Sequence, residues 1–187
     1  MRAASIILGI ALLAPACAPD TDPLPTNPST TTSQGGIMRL SSSAFLHNMP
    51  IPSRYTCDGF DVNPPLQIND IPPGTRSLVL FVDDPDAPDP EAPKMVWDHW
   101  VVWNIDPATR EIGEGSVPAG AVQGKNSWGR NSYGGPCPPI GTHRYFFKLF
   151  ALDTTLTLTP AATKADVEAA FAGHVIDQTE LIGTYHR

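Results

Sequence analysis

The sequence predicts an all-β fold, a sandwich of two sheets that carries one small helix. Two features of the composition lead to this prediction: only 17% of the 187 residues are charged, and the chain holds 21 Pro and 15 Gly. Such a composition disfavours long helices and favours strands joined by many turns. The third feature is the order of the segments. Several apolar runs precede a single helical pattern, without the regular strand–helix alternation of a parallel sheet.

Three apolar segments predict the central strands. Residues 77–82 form an apolar run, and the Asp-Asp-Pro sequence at 83–85 is expected to end it in a turn. Residues 97–105 carry bulky apolar side chains at both alternating sets of positions, so this strand should be covered on both faces. Residues 144–152 form the third strand. The stretch 106–142 holds eight Gly and five Pro and is therefore predicted to be mostly loop.

The one helical pattern lies near the end of the chain, over residues 163–173. Thr163 is predicted to cap its start, with Asp166 three residues on, and Gly173 is predicted to end it. A last strand is predicted over residues 180–186. The apolar stripe of the helix would consist of Val167, Ala170 and Phe171.

The first 36 residues have the composition of an export signal and a tether. A short positive start and a short apolar run end in small residues before Cys17, which is typical of a lipoprotein signal peptide over residues 1–16. Cleavage would leave Cys17 lipidated and, by removing Arg2, would move the net charge from −7 to −8. Residues 17–36 predict a disordered tether, followed by a domain at 37–187. The alternatives are a secretory signal without lipid and a buried helix.

Charge and hydropathy narrow the classes of partner. A net charge of −7 with only 12 Lys and Arg argues against binding of nucleic acid, because such binding requires clustered cationic side chains. No apolar run reaches the roughly 18–20 residues of a spanning helix, so membrane association is expected only through the lipid anchor. The expected location is the bacterial cell envelope, on the outer or plasma membrane, facing the periplasm or the exterior.

Cys57 and Cys137 are the two cysteines of the predicted domain. Export permits a disulfide between them. The alternative is a pair of small, buried, unbonded side chains.

An acidic, proline-rich segment at 83–91 is the first candidate for chemistry, because it holds five acidic residues. Asp84 and Asp86, two residues apart, could accept hydrogen bonds, share a proton or bind a cation. An acidic surface turn is the alternative. The segment lacks the glycine and the distal glutamate of an EF-hand, so no calcium site is predicted.

Two apolar strands are interrupted by polar side chains. His99 lies on an apolar strand face, where a hydrogen-bonded core histidine is the alternative to a ligand-binding one. His143 and Tyr145 follow a Gly/Pro-rich loop and, being two residues apart on a strand, point to the same side. A rigid loop that delivers an imidazole and a phenol together is typical of a polar pocket wall. The other histidines are expected in solvent: His47, His174 and His186.

Three motifs follow one another along the domain: Asp-Pro-Asp-Ala-Pro at 84–88, Trp-Asp-His-Trp at 97–100 and Gly-Pro-Cys-Pro-Pro-Ile-Gly-Thr-His-Arg-Tyr at 135–145. Shorter ones are Tyr-Thr-Cys-Asp-Gly at 55–59, Asn-Pro-Pro-Leu at 63–66 and Leu-Ile-Gly-Thr-Tyr at 181–185. Together they resemble the phosphatidylethanolamine-binding protein family, specifically its bacterial Raf-kinase-inhibitor-like branch. The resemblance implies a Greek-key sandwich of two antiparallel sheets, in agreement with the strand pattern.

The resemblance also implies a small pocket at one end of the sandwich that holds phosphate-like or carboxylate anions. Its imidazoles and phenol would donate hydrogen bonds, and its aspartates would hold the imidazoles in donor tautomers or keep them protonated. A cis peptide bond at Ala87–Pro88 and a homodimer are further implications. Lys94 stands where many eukaryotic relatives have a pocket tyrosine, so their lipid and kinase binding is not carried over. By matching position, the pocket residues would be Asp84, Asp86, His99, Gly135, Pro136, His143 and Tyr145.

Three functions fit these residues. The favoured one is an exported binding protein that recognises a small anionic ligand or a phosphorylated headgroup and thereby inhibits or regulates a partner. No catalytic residue or cofactor is predicted, because no Ser stands in a Gly-x-Ser-x-Gly elbow and neither domain cysteine has an activating neighbour. The alternative is a hydrolase in which His99, His143 and the aspartates bind Zn²⁺ or perform acid–base chemistry. None of these residues has the spacing of a known metal motif, so no metal site is predicted. The third is a structural role in the envelope.

Overall fold

The computed structural model describes Met1 and residues 36–187, and the latter form two sheets packed around a shared core. The smaller sheet consists of β1 (Arg39–Ser41), β3 (Leu66–Asn69) and β6 (Glu111–Ile112), in that order. The larger sheet has the order β2 (Met49–Pro50), β9 (Val175–His186), β8 (Thr142–Leu152), β4 (Ser77–Asp84), β5 (Trp97–Ile105) and β7 (Val122–Gln123). A single turn of 3₁₀-helix at Ser53–Tyr55 and the helix α1 (Lys164–Phe171) are the helical elements of residues 36–187. The predicted all-β sandwich with a small helix is confirmed.

The pairing is antiparallel throughout both sheets, with one exception. The short strand β2 runs parallel to β9, where Met49 lies opposite Gly183. The long pair of β8 and β9 and the two neighbours of β4 form the antiparallel centre of the larger sheet. This centre positions the functional residues described below.

The central strand β4 is longer than predicted. It continues through Asp83 and Asp84, which were expected to end it, and Asp83 still pairs with Phe146 of β8. The carboxylates can stay inside the sheet because each one finds a basic partner: Asp83 binds Lys148 and Asp84 binds His143. The strand β5 has the predicted bounds, and β8 begins two residues earlier than predicted, at Thr142.

The end of the chain also differs in detail from the prediction. The strand β9 begins at Val175 rather than at residue 180, because its polar first half follows β8 as a partner along the whole ladder. The helix begins as predicted, with Thr163 and Asp166 forming a reciprocal capping box. Ala170, predicted in the apolar stripe, is exposed. The short helix contacts the sheet only through the narrow strip that contains Val167 and Phe171.

Both faces of the larger sheet are covered, which explains the unbroken apolar run of β4. Leu78, Leu80 and Val82 lie in the core between the two sheets. The alternate residues Val79 and Phe81 lie on the other face, in the cluster that includes α1. Asp84 continues the face of Leu78, Leu80 and Val82, and Asp83 continues the face of Val79 and Phe81. The two neighbouring carboxylates therefore belong to different sites.

No helix within residues 36–187 is long and apolar enough to cross a bilayer. The predicted signal peptide, Cys17 and nearly all of the predicted tether lie outside the described residues. The stretch 106–142 is mostly loop, as predicted, and contains only the short strands β6 and β7 and the first residue of β8.

Candidate functional site

A cavity of about 400 Å³ lies at the end of the larger sheet where β4 stops and β5 and β8 start. Antiparallel pairing brings these three strand ends together, although they are far apart in sequence. The loop over residues 128–139 completes the wall. Of the seven residues predicted to form the pocket, the wall includes Asp84, His99, Gly135 and His143.

His143 is completely buried, and both of its ring nitrogens are engaged. Nδ1 lies 2.7 Å from Oδ2 of Asp84, and Nε2 lies 3.1 Å from the carbonyl oxygen of Ile140. The two contacts, one on each ring nitrogen, fix the orientation of the imidazole. The other oxygen of Asp84 accepts a hydrogen bond from the backbone N–H of Asp86 at 2.8 Å. Asp84 therefore orients His143.

His99 is the wall residue with a free ring nitrogen. Its Nδ1 lies 2.6 Å from the carbonyl oxygen of Gly134, a contact that assigns the proton to Nδ1. Among the described residues, no group forms a hydrogen bond with Nε2. Burial lowers the pKa of His99, and the hydrogen bond to Gly134 opposes this shift only in part. The neutral ring therefore carries an accepting lone pair on Nε2 at neutral pH.

Tyr145 was predicted on the wall, but the structure places it behind the two histidines. Its side chain is completely buried, and its ring centroid lies 5.2 Å from that of His99 and 6.5 Å from that of His143. Its hydroxyl faces the backbone of Cys137 and forms no regular hydrogen bond within residues 36–187. Burial raises the pKa of this hydroxyl, which stays neutral. The phenol supports the imidazoles and is not itself in contact with the cavity.

Asp86 is also absent from the wall. Its Oδ1 lies 2.7 Å from Nη2 of Arg144 and its Oδ2 lies 2.9 Å from Nε, while the backbone N–H of Arg144 donates to Oδ2 as well. The hydrogen bonds from Arg144 hold the pKa of this carboxyl below its usual range. The carboxylate of Asp86 is thus engaged by Arg144. The sequence predicted that Asp86 faces a ligand, but the structure places it outside the cavity wall.

Pro136 lies behind the wall, where its carbonyl accepts a hydrogen bond from the backbone N–H of Cys57 at 3.1 Å. Its neighbour Gly135 does line the cavity, and glycine is required there by close packing. A Cβ at this position would lie 2.5 Å from the backbone oxygen of Tyr55 and 2.8 Å from Cα of Thr56. A larger residue would push the loop away from its support.

The wall residues that were not predicted from the sequence include Arg130, Trp97 and Trp128. The guanidinium of Arg130 lies 5.1 Å from the ring centroid of Trp128 and forms no salt bridge with any described residue. Trp128 in turn meets Trp97 and His99 edge-on, with centroids 5.3 and 5.1 Å apart. The indole N–H of Trp97 is buried and has no partner within residues 36–187. A cation beside an aromatic residue in a Gly-rich loop was the available signal.

The carboxylates of the wall already have internal donors. Oδ1 of Asp61 accepts a hydrogen bond from the backbone N–H of Gly135 at 2.6 Å, and Asp84 is engaged as described above. Within residues 36–187, no three His, Cys, Asp or Glu side chains are grouped so that they could hold a metal ion together.

A disulfide bond joins two segments of the cavity wall. Cys57 and Cys137 form a disulfide, and both residues line the cavity. The bond joins the segment after the 3₁₀ turn to the loop over residues 128–139. Ala87 and Pro88 also line the cavity, and the peptide bond between them is cis, as the resemblance implied.

Comparison with known proteins defines the class. The family model of the phosphatidylethanolamine-binding proteins matches residues 41–186. The chain belongs to the phosphatidylethanolamine-binding protein family, as the sequence motifs indicated. One relative, a UPF0098 protein of Methanothermobacter thermautotrophicus, is 49% identical over 155 residues, which cover 80% of this chain and 99% of the relative.

Two solved structures are similar to this fold. A phosphatidylethanolamine-binding protein homologue, CT736, from Chlamydia trachomatis is 42% identical with a TM-score of 0.76; the match covers 81% of this chain and 98% of that chain. Escherichia coli YBCL, described as a member of the mammalian family, is 28% identical with a TM-score of 0.73; the match covers 81% and 99% of the two chains. The relatives thus include both bacterial and archaeal proteins.

Proposed function

We propose that this member of the family is an exported binding protein whose cavity holds the anionic group of a phosphate- or carboxylate-bearing ligand. The observation that carries the proposal is the guanidinium of Arg130, a residue that lines the cavity and forms no salt bridge within residues 36–187. A charge-assisted hydrogen bond from a guanidinium is among the strongest contacts that an oxyanion can make. Trp97, another wall residue, also has a buried indole N–H without a partner within residues 36–187.

Anion binding in this cavity should depend on the protonation of His99. Its Nε2 accepts hydrogen bonds while the ring is neutral, and an anion oxygen requires a donor. We infer that His99 takes up a proton when the anion binds, because the negative charge favours the imidazolium form. The ligand would then sit between a guanidinium and an imidazolium.

An acid–base hydrolase gains no specific support from the site. General acid–base chemistry needs a titratable group free to reach the substrate. The carboxylates of Asp61 and Asp84 accept internal hydrogen bonds instead. The free titratable group of the wall is the imidazole of His99, which the anion-binding proposal already uses.

The proposed anchor concerns residues outside the structural description. We infer from the sequence that Cys17 is lipidated and holds the domain at the surface of a membrane in the cell envelope. Capture of a phosphorylated headgroup or of an anionic segment of a partner there would inhibit or regulate that partner. A Cys17→Ser variant should leave the membrane fraction, and a variant that stays membrane-bound would refute the lipid anchor.

The binding proposal is tested by titration calorimetry with inorganic phosphate, sulfate and acetate as probes. We expect Arg130→Gln to weaken binding by about fivefold or more, since it loses one charge-assisted bond. His99→Ala should also weaken binding. The matched controls are Arg39→Gln and His174→Ala, whose side chains are exposed and form ion pairs elsewhere on the surface. Equal affinities in the wild type and the Arg130 and His99 variants would contradict the proposal.

A further inference from the structure

The disulfide between Cys57 and Cys137 differs from a buried structural bridge in where it lies. Cys57 is exposed and Cys137 is half-buried, and both residues line the cavity. A disulfide that solvent reaches can be attacked by an external thiol, whereas a bridge inside a core cannot.

A guanidinium lies against one of the two sulfur atoms. Nη1 of Arg187 is 3.3 Å from Sγ of Cys137. The guanidinium is held there by Asp58, whose Oδ1 lies 3.3 Å from Nε of Arg187 and whose Oδ2 accepts a hydrogen bond from Tyr185 at 2.8 Å. A cation beside a sulfur stabilises the thiolate over the thiol. The two sulfurs are therefore unequal as leaving groups.

We propose that this disulfide is a thiol–disulfide exchange site for a low-molecular-weight thiol, with Cys57 as the attacked sulfur and Cys137 as the leaving group. The external thiol first loses its proton to solvent. Its thiolate then forms a new S–S bond to Sγ of Cys57 while the bond between the two cysteines breaks. The electron pair of the broken bond stays on Sγ of Cys137, next to Arg187. The product is a mixed disulfide at Cys57 and a thiolate at Cys137, with no net oxidation or reduction.

Exchange at this bond would regulate the cavity, an inference that rests on the proposed function. The bridge ties the wall loop to the segment after the 3₁₀ turn. Once the disulfide opens, two nearby hydrogen bonds still join the loop to its support. One runs from the backbone N–H of Cys57 to the carbonyl of Pro136, and the other runs from the backbone N–H of Gly135 to Asp61. Residues 137–139 lose their covalent support and thereby the fixed geometry of the wall. We expect weaker anion binding, by at least about threefold, because a mobile wall must be ordered again on binding.

The exchange is measured on the full chain with reduced glutathione as the probe, followed by acid quenching and peptide mapping by mass spectrometry. We expect the glutathione adduct on Cys57 and a free thiol on Cys137; mapping separates both from Cys17. Arg187→Gln should slow adduct formation by about threefold or more, since a less stabilised thiolate leaves more slowly. Arg187→Lys, which keeps the charge, should retain most of the rate, and Arg39→Gln is the matched control for lost surface charge.

The outcomes separate this proposal from the proposed function. No adduct, an adduct mainly on Cys137, or equal rates in wild type and Arg187→Gln would overturn the exchange site, whatever the cavity binds. Sulfate affinity is then measured for the oxidised and glutathione-treated protein. Equal affinity in the two forms would overturn the regulatory part. Failure of the oxidised protein to bind sulfate would instead refute the anion-binding function and leave the exchange chemistry standing.

Discussion

The imidazole of His143 and the carboxylate of Asp84 form a buried pair in the cavity wall, with Nδ1 and Oδ2 2.7 Å apart. The two residues are 59 positions apart in sequence, and neighbouring strands of the larger sheet bring them together. The second bond of the ring, to the carbonyl of Ile140, fixes its orientation. The pair thus holds one imidazole of the cavity wall in place from inside the protein.

Removal of the charge of Asp84 should destabilise the fold. We expect Asp84→Asn to lower the free energy of unfolding by about 2 kcal/mol, because the buried imidazole loses a charge-assisted acceptor. Urea denaturation at neutral pH measures the change. Asp106→Asn, an exposed carboxylate on a turn, is the matched control and should change stability much less. Equal losses in the two variants would show that the buried pair has no special role.

The ion pair of Asp86 and Arg144 predicts a stability that depends on pH. Arg144 holds the pKa of the Asp86 carboxyl below its ordinary value of 3.8. The resulting stabilisation is complete above pH 3.8 and is lost as the pH falls through the lower pKa of the folded state. The stability gap between wild type and Arg144→Gln should therefore be widest near neutral pH and should close in acid.

Urea titrations at several pH values measure this gap. The control is Arg110→Gln, because Arg110 is exposed and donates only to backbone carbonyls. A gap for Arg144→Gln that stays constant from neutral to strongly acid pH would be inconsistent with the assigned pKa shift.

The disulfide should contribute to stability because it closes a loop of 80 residues. Cleavage or the double variant Cys57→Ser/Cys137→Ser should lower the free energy of unfolding by about 2–4 kcal/mol, since the unfolded chain gains conformational freedom. Thermal and urea denaturation with and without reductant are the measurements. Unchanged midpoints in the reduced protein would mean that the bridge only shapes the cavity wall.

The fold could be predicted from the sequence where apolar side chains fill both faces of a strand. Residues 97–105 were bounded correctly for this reason. The early part of β9 was missed because its polar side chains lie at the surface, and only the ladder with β8 defines it. The strand β4 was ended too early because Asp83 and Asp84 resemble a turn until their basic partners are known.

The candidate site was predictable only in part, for a related reason. His99 and His143 stood out as polar residues on apolar strands, and the motifs placed them in one pocket. The sequence gives no sign that Arg144 occupies Asp86, because this contact depends on the three-dimensional path of the loop. Arg130 was missed because it lies in a loop without periodicity, and only the packing against Trp128 brings it to the cavity.

We propose that His99 takes up a proton when the cavity binds an anion. Sulfate affinity measured by titration calorimetry at several pH values tests it most directly, because sulfate keeps the same charge over the histidine range. The free His99 has a pKa below 6.5, and the bound anion would raise it. Binding should therefore tighten by at least about threefold per pH unit between about pH 7.5 and about pH 5.5, and no faster than tenfold. The His99→Gln variant keeps every other titratable group, so it controls for the change in overall protein charge with pH. It should show a much flatter profile of affinity against pH. Profiles of equal slope in wild type and His99→Gln would contradict the account.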